Sequence, residues 1–413
     1  MKLDYKKIFI LGLGFFAISI LWPVYNAFVP VILENYIEKA TIIGAIMTID
    51  NLFAVVFQPF FGAMSDRTNN RFGRRMPFIL IGAPISALLF SIIPYTNSLK
   101  TLMITVIIMN FTMSIYRAPT VALMPDVTPS PLRSKANGVI NFMGGLAAVI
   151  AYGLGGFLYD KNSAYPFHMS SIIMIFALIL LYKFIEEPRG IQVEEKVKAK
   201  RAKNQEENRA RNKSLIFLLL AIFLWFTGFN AVETFFSLYG QHVLNITAGK
   251  ASVVLTSFSL AFLLFAIPAG FIGTKLGRRK TITLGIVGIL IVFIPLIVLR
   301  NPVLISIFLV IGGIFWALIN INSYPMVVEL APKGGVGTYT GYYYFFSSSA
   351  AVASPILFGF IKDMVDSYQP LFIYSCIAFV LALLCILSVK HGDISNEDYD
   401  EEKKRAIEEN WED

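Results

Sequence analysis

Three ionisable side chains, Asp50, Arg117 and Glu233, interrupt stretches that are otherwise strongly apolar. A lone charge deep in hydrocarbon costs several kcal/mol, roughly 2.5–3.5 on insertion scales, so each of the three needs a partner or water. Two carboxyls and a guanidinium are a set that can move a proton. Burial favours the neutral form of a carboxyl and a neighbouring guanidinium favours the ionised form, so protonation follows which groups are close. Other polar residues recur with them at i, i+3, i+4 or i+7, which puts each set largely on one helix face. The sets are Trp22, Tyr25 and Asn26; Asn110, Ser114 and Arg117; Asn230, Glu233 and Ser237; and Trp316, Asn320 and Ser323. The expected arrangement pairs Asp50 with Arg117 and faces Glu233 toward them across a cavity. Amides, hydroxyls and aromatic rings beside charges would hold a small polar solute there. The alternative is that any of the three charges is only a structural bridge between helices.

The elements that must position these residues follow from composition. Of 413 residues, 56% are hydrophobic and 15% charged, and the mean hydropathy is +0.66. About twelve apolar stretches are each long enough to cross a hydrocarbon core roughly 30 Å thick. The first is read as an uncleaved helix rather than a leader, since another span follows it directly. The polar sets fall in spans 1, 4, 7 and 10, every third one, whereas spans 3, 6, 9 and 12 carry scattered Ser, Thr, Tyr and Cys, as outer helices facing lipid would. The net charge of +8 could suggest nucleic acid in a soluble chain. Placing the N-terminus in the cytoplasm, however, puts most of the 35 Lys and Arg on that side, which predicts a multi-pass cell-membrane protein with both termini cytoplasmic. Cys376 and Cys385 share the last span and imply no disulfide; His168, His242 and His391 are too scattered for a metal site. No cofactor, metal or nucleic acid is expected, and a monomer in the bilayer is.

A long polar interval, 187–213, divides the spans six and six. The expected organisation is an N-terminal bundle at 1–186, a cytoplasmic linker at 187–213, a C-terminal bundle at 214–390 and a cytoplasmic tail at 391–413. The halves are related. Ala147-Ala148-Val149 and Gly156 through Asp160 match Ala350-Ala351-Val352 and Gly359 through Asp363 at a constant offset of 203. Gly138 and Gly341 share that offset, and Gly73-Arg74-Arg75 matches Gly277-Arg278-Arg279 at 204. Several matches in order make a repeat. The predicted fold is therefore an all-α membrane protein of twelve transmembrane helices in two pseudo-symmetric six-helix bundles.

Between spans 2 and 3 the chain carries Gly62, Ser65-Asp66-Arg67, Arg71 and Gly73-Arg74-Arg75, with Gln58-Pro59 before and Pro77 after. Gly62 could allow close helix approach, and Asp66 with the arginines could make charge-assisted contacts between helix ends, latching one access state; a topology anchor is the simpler role. The loop resembles the signature loop of the major facilitator superfamily in its longer form, that of the glycoside–pentoside–hexuronide cation symporters and the plant sucrose–proton symporters. Ala118-Pro119 through Pro125-Asp126 in span 4 is similar to the sucrose-carrier segment. The resemblance implies halves that rock about a midplane site. It also exposes departures. The sodium-site acids of the glycoside symporters fall here at Ala54 and Gln58, one turn from Asp50; the sucrose carriers' span-4 arginine falls at Val121, one turn from Arg117. In the second half Thr274 and Lys275 replace Asp66 and Arg67, so that copy reads as degenerate.

These readings predict a secondary transporter rather than an enzyme: proton-coupled uptake of a sugar or glycoside, with protons preferred to sodium. Export of drugs or other small organic molecules is the alternative. Motifs of metalloprotease, P-loop or nucleophile-elbow type are not found in the sequence.

Overall fold

A computed structural model describes residues 5–68, 70–127, 133–185, 205–331 and 336–390. Most of the expected linker and the whole of the expected tail lie outside them. The described residues form helices α1 (Tyr5–Glu34), α2 (Ala40–Met47), α3 (Ile49–Arg67), α4 (Met76–Ile92), α5 (Leu99–Val127), α6 (Arg133–Lys161) and α7 (Tyr165–Phe184). They continue with α8 (Gln205–His242), α9 (Ala248–Leu276), α10 (Arg278–Leu296), α11 (Pro302–Glu329), α12 (Val336–Val365) and α13 (Leu371–Leu387). Among the described residues eleven spans are long and apolar enough to cross a bilayer; α13 is a shorter apolar helix of 17 residues, at the low end of what can span one. The expected all-helical membrane fold is what the chain adopts.

Two elements differ from the hydropathy reading. The second span is not continuous: α2 and α3 meet at Thr48, whose hydroxyl returns to the Ala45 carbonyl at 2.8 Å. Asp50 therefore sits in the first turn of α3, at the positive end of a helix dipole. The seventh span begins at Gln205, inside the 187–213 stretch, and Arg211 pins it by donating to the Leu330 carbonyl at 2.7 and 2.6 Å.

Helices α4 and α7 pack on each other and on their own half, as do α10 and α13. This is the outer position expected for spans 3, 6, 9 and 12. The halves meet through α6 on α9, α2 on α12 and α1 on α8, while α3 touches α12 little. Since α2 and α3 are the two ends of one span, the halves are joined at the α2 end and diverge toward the other.

At the joined end, two carboxylates at repeat-equivalent positions reach the opposite half. Asp363 of α12 accepts from the Ala40 and Thr41 backbone N–H groups at 2.8 and 2.9 Å and from the Thr41 hydroxyl at 2.6 Å. It thus satisfies donors that the start of α2 leaves open. Asp160 of α6 accepts from the hydroxyl of Thr247, the N-cap of α9, at 2.8 Å. Beside these bonds the backbones nearly touch: a Cβ on Gly359 would overlap the Ala40 carbonyl, and one on Gly249 would overlap that of Gly156. Farther along α12, a Cβ on Gly341 would meet nothing within 4 Å. The same helix is jammed at one end and clear at the other. Glu34 of α1 adds a third tie, to His242 at 2.9 Å and to the Tyr368 hydroxyl at 2.9 Å. Burial and the Glu34 carboxylate push the Tyr368 phenol well above its usual range, so it remains a donor.

Removing the Asp363 cap should loosen this end. Asp363→Ala is expected to cost about 0.5–2 kcal/mol of the joined state. Spin labels at Glu38→Cys and Gln369→Cys, in a chain with Cys376 and Cys385 replaced by serine, should then report a longer-distance population in a pulsed-dipolar measurement. An unchanged distribution would contradict this role.

Candidate functional site

Two cavities lie where the halves face each other, and Glu233 borders both. The smaller, about 140 Å³, is polar; Trp22, Asn26, Asp50, Asn51, Arg117 and Asn230 are among its walls. The larger, about 220 Å³, is mainly apolar, lined by Phe229, Phe258, Phe262, Phe293, Leu309 and Trp316, with Tyr152 and Ser259 as its other polar residues. Trp316 and Phe229 stack at 4.3 Å with rings 6° from parallel.

The polar compartment brings together residues from six helices, α1, α2, α3, α5, α8 and α12. Asp50 of α3 accepts from the Asn51 side chain at 2.8 Å. Glu233 of α8 accepts from the Tyr152 hydroxyl at 3.2 Å, and Asn26 lies beside it. Arg117 of α5 places its guanidinium 5.5 Å from the centre of the Trp22 ring. Asp50 and Arg117 share the cavity but, among the described residues, form no ion pair within 4.0 Å, so the direct pairing expected from the sequence is replaced by two charges facing common space. The Trp22 indole N–H and the Asn230 amide N–H are buried without an acceptor.

Several expected site residues line neither cavity. Tyr25 is fully buried, edge-on to Trp22 at 5.8 Å, with its hydroxyl beside the amide of Asn110, which is 1% exposed. Ser114 returns its hydroxyl to the Asn110 carbonyl at 3.0 Å, as serines within apolar helices commonly do. Ser323 bonds the Asn320 backbone carbonyl at 2.9 Å and the Tyr343 hydroxyl at 3.3 Å, which places Ser323 toward α12, and Asn320 lines neither cavity. Conversely, Tyr152, Asn51 and the phenylalanines of the chamber were missed. Tyr152 had a readable signal, since it lies inside the repeated segment 147–160.

The loop residues form a network at the opposite end of the bundle. Arg75 bonds Asp126 of α5 at 2.9 Å, Asp66 of α3, Ser65 and the Gly62 carbonyl; Arg74 reaches Asp126 at 3.2 Å. These contacts tie the ends of spans 2, 3 and 4 of one half together. Gly62 is not needed for close approach, because a Cβ there would meet Ala118 at an ordinary 3.8 Å; its carbonyl is what the network uses. Arg67 is exposed and, among the described residues, makes no ion pair. Gly73 adopts φ 104° and Gly277 φ 87°, left-handed turns that a side chain would strain. The second copy is less degenerate than it reads: Arg278 pairs with Glu329 of α11, which stands 203 positions after Asp126.

With this geometry, sequence comparison decides the family. The family model described as Major Facilitator Superfamily matches residues 8–251 and 241–413. The chain belongs to the Major Facilitator Superfamily. Its members are transporters, not enzymes. Relatives include the tetracycline resistance protein, class H, of Pasteurella multocida, 26% identical over 64% of this chain and 65% of its own length. The cis,cis-muconate transport protein of Acinetobacter baylyi is 27% identical over 58% and 60%. The isoprimeverose transporter of Lactiplantibacillus pentosus is 25% identical over 60% and 54%. Each match therefore spans less than two thirds of the relative. Among solved structures, the nucleoside transporter NupG superposes with a TM-score of 0.74 at 14% identity, covering 93% of this chain and 100% of that one, which supports the fold.

The network predicts unequal loop arginines. Arg75→Ala leaves Asp126 with Arg74 alone and cuts its link to Asp66, Ser65 and the Gly62 carbonyl, which should destabilise the protein by about 2–3 kcal/mol. Arg67→Ala should change stability by less than about 0.5 kcal/mol. Chemical denaturation in detergent measures both, and equal effects would refute the assignment.

Proposed function

We propose that the protein is a proton-coupled secondary transporter of a small amphipathic organic solute, working by alternating access. The observation that carries the reading is Glu233, a carboxyl on the shared wall of a charged compartment and an aromatic chamber. A proton taken up or lost there, or at Asp50, changes the charge of the compartment just where a bound solute would span both spaces. With the N-terminus in the cytoplasm, as the distribution of Lys and Arg supports, the joined end faces outward and the diverging end opens inward. Transport then consists of exchanging which end is closed.

Uptake of a sugar or glycoside is supported by the signature loop and by the isoprimeverose relative. The chamber argues for more apolar character than a bare sugar has, because its walls are largely phenylalanine, leucine and tryptophan. Export of drug-like molecules is the second reading, favoured by that same chamber and by the tetracycline-resistance relative.

Purified protein in proteoliposomes with an imposed pH gradient tests coupling. Asp50→Asn and Glu233→Gln are each expected to abolish pH-driven accumulation of a bound solute while leaving gradient-independent exchange measurable. Accumulation at the unmodified level in both variants would remove the reading.

A further inference from the structure

The two cavities divide a solute into a head and a body, and the unsatisfied groups around the smaller one have a common sign. Arg117, Trp22 and Asn230 all present donors there. The guanidinium has no carboxylate or carbonyl partner among the described residues and lies against the Trp22 ring; the Trp22 Nε1–H and the Asn230 Nδ2–H are buried without acceptors. Among the acceptors of the same space, one oxygen of Asp50 takes the Asn51 amide at 2.8 Å and one oxygen of Glu233 takes the Tyr152 hydroxyl at 3.2 Å, and a proton on the remaining oxygen makes either carboxyl a donor as well. A buried donor left unmade is costly, whereas a charge-assisted bond to an oxyanion is among the stronger contacts available.

Resting on the proton-coupled reading above, we propose that the solute is an organic anion: one carboxylate held by Arg117, Trp22 and Asn230, on a compact apolar or aromatic body seated in the chamber of Phe229, Phe258 and Trp316. Charge accounting points the same way. A guanidinium keeps its charge, whereas a carboxyl can give its charge up by binding a proton. When Asp50 and Glu233 are protonated the compartment carries one net positive charge, which an anion neutralises. When they release their protons, two carboxylates compete with the solute for the same donors and expel it. An uncharged polyol would leave the guanidinium unneutralised in hydrocarbon, and an ammonium would sit beside it in either protonation state. The body fits for an independent reason: the roughly 220 Å³ chamber offers stacking faces and edges and few hydrogen-bonding groups.

The experiment uses the full chain in detergent at mildly acidic pH and three probes that share one body: 3-phenylpropanoate, 3-phenylpropan-1-ol and 3-phenylpropylamine. Calorimetric titration should show the acid binding about tenfold or more tightly than either analogue. Trp22→Phe keeps an aromatic face and removes the N–H; it should weaken the acid several-fold and change the alcohol far less. Arg117→Gln should erase the preference for the acid. Should Arg117→Gln not fold, the Trp22→Phe comparison decides alone. Equal binding of acid and alcohol, tighter binding of the amine, or binding of none of the three overturns the proposal. Tighter binding of alcohol or amine with intact pH-driven accumulation of that probe overturns the anion and leaves proton coupling standing. Acid-selective binding with pH-independent transport does the reverse.

Discussion

Lipid offers no water to a polar group, so a helix that begins within the bilayer boundary must find acceptors for its first N–H groups in other protein. In this bundle Asp363 of the opposite half accepts from the first N–H groups of α2, while α9 is capped by its own Thr247, whose hydroxyl donates to Asp160 of the opposite half. Closing the two halves thereby satisfies the start of α2 and fixes the capping hydroxyl of α9 in one event. Separation requires that water reach the same groups, which is feasible at the rim of the bilayer and not at its middle. The polar ties accordingly stand at the ends of the spans, and close backbone contact between Gly156 and Gly249 and between Gly359 and Ala40 continues them inward. A joint of small residues and end-located carboxylates can part without stranding a charge in hydrocarbon.

The middle of the bundle follows the same constraint in the other direction. Around Arg117, Trp22 and Asn230 the chain leaves donors unmet that it could have paired, and Asp50 faces the shared space without reaching the guanidinium. A fully satisfied centre would be a rigid structural bridge. An incompletely satisfied one gains when a solute of matching chemistry arrives, and that differential is what a solute needs to bias the exchange between closed ends.

Much of this was legible in the sequence. Apolar length gave the spans, and the offset of 203 gave two related halves. The same offset would also have paired Asp126 with Glu329, and so the Arg278–Glu329 contact, had the acids at the ends of spans 4 and 10 been compared. Helical periodicity identified faces but not neighbours, which is why Ser114 turned back on its own helix and Ser323 bonded Tyr343. The break at Thr48 leaves no hydropathy signal, because both sides of it are apolar. Asp160 and Asp363 appeared only as markers of the repeat; their partners lie 87 and 322–323 residues away in sequence, beyond any local pattern.

Symmetry is kept and lost in different places, and the distribution has a physical reason. The rims retain it: Asp160 mirrors Asp363, and Arg74–Asp126 mirrors Arg278–Glu329. Matched rims let each half move as a rigid body, with spans 2, 3 and 4 or their counterparts held together while the interface between halves changes. The centre abandons symmetry, with Asp50 and Arg117 on one side and Glu233 with the aromatic chamber on the other. A symmetric centre would place like charges opposite one another and give a solute no preferred orientation. An asymmetric one separates a charged subsite from an apolar subsite and sets a protonatable carboxyl between them. In the proposed alternating-access cycle the matched rims would serve as hinges, and selectivity would rest on the residues the repeat does not share.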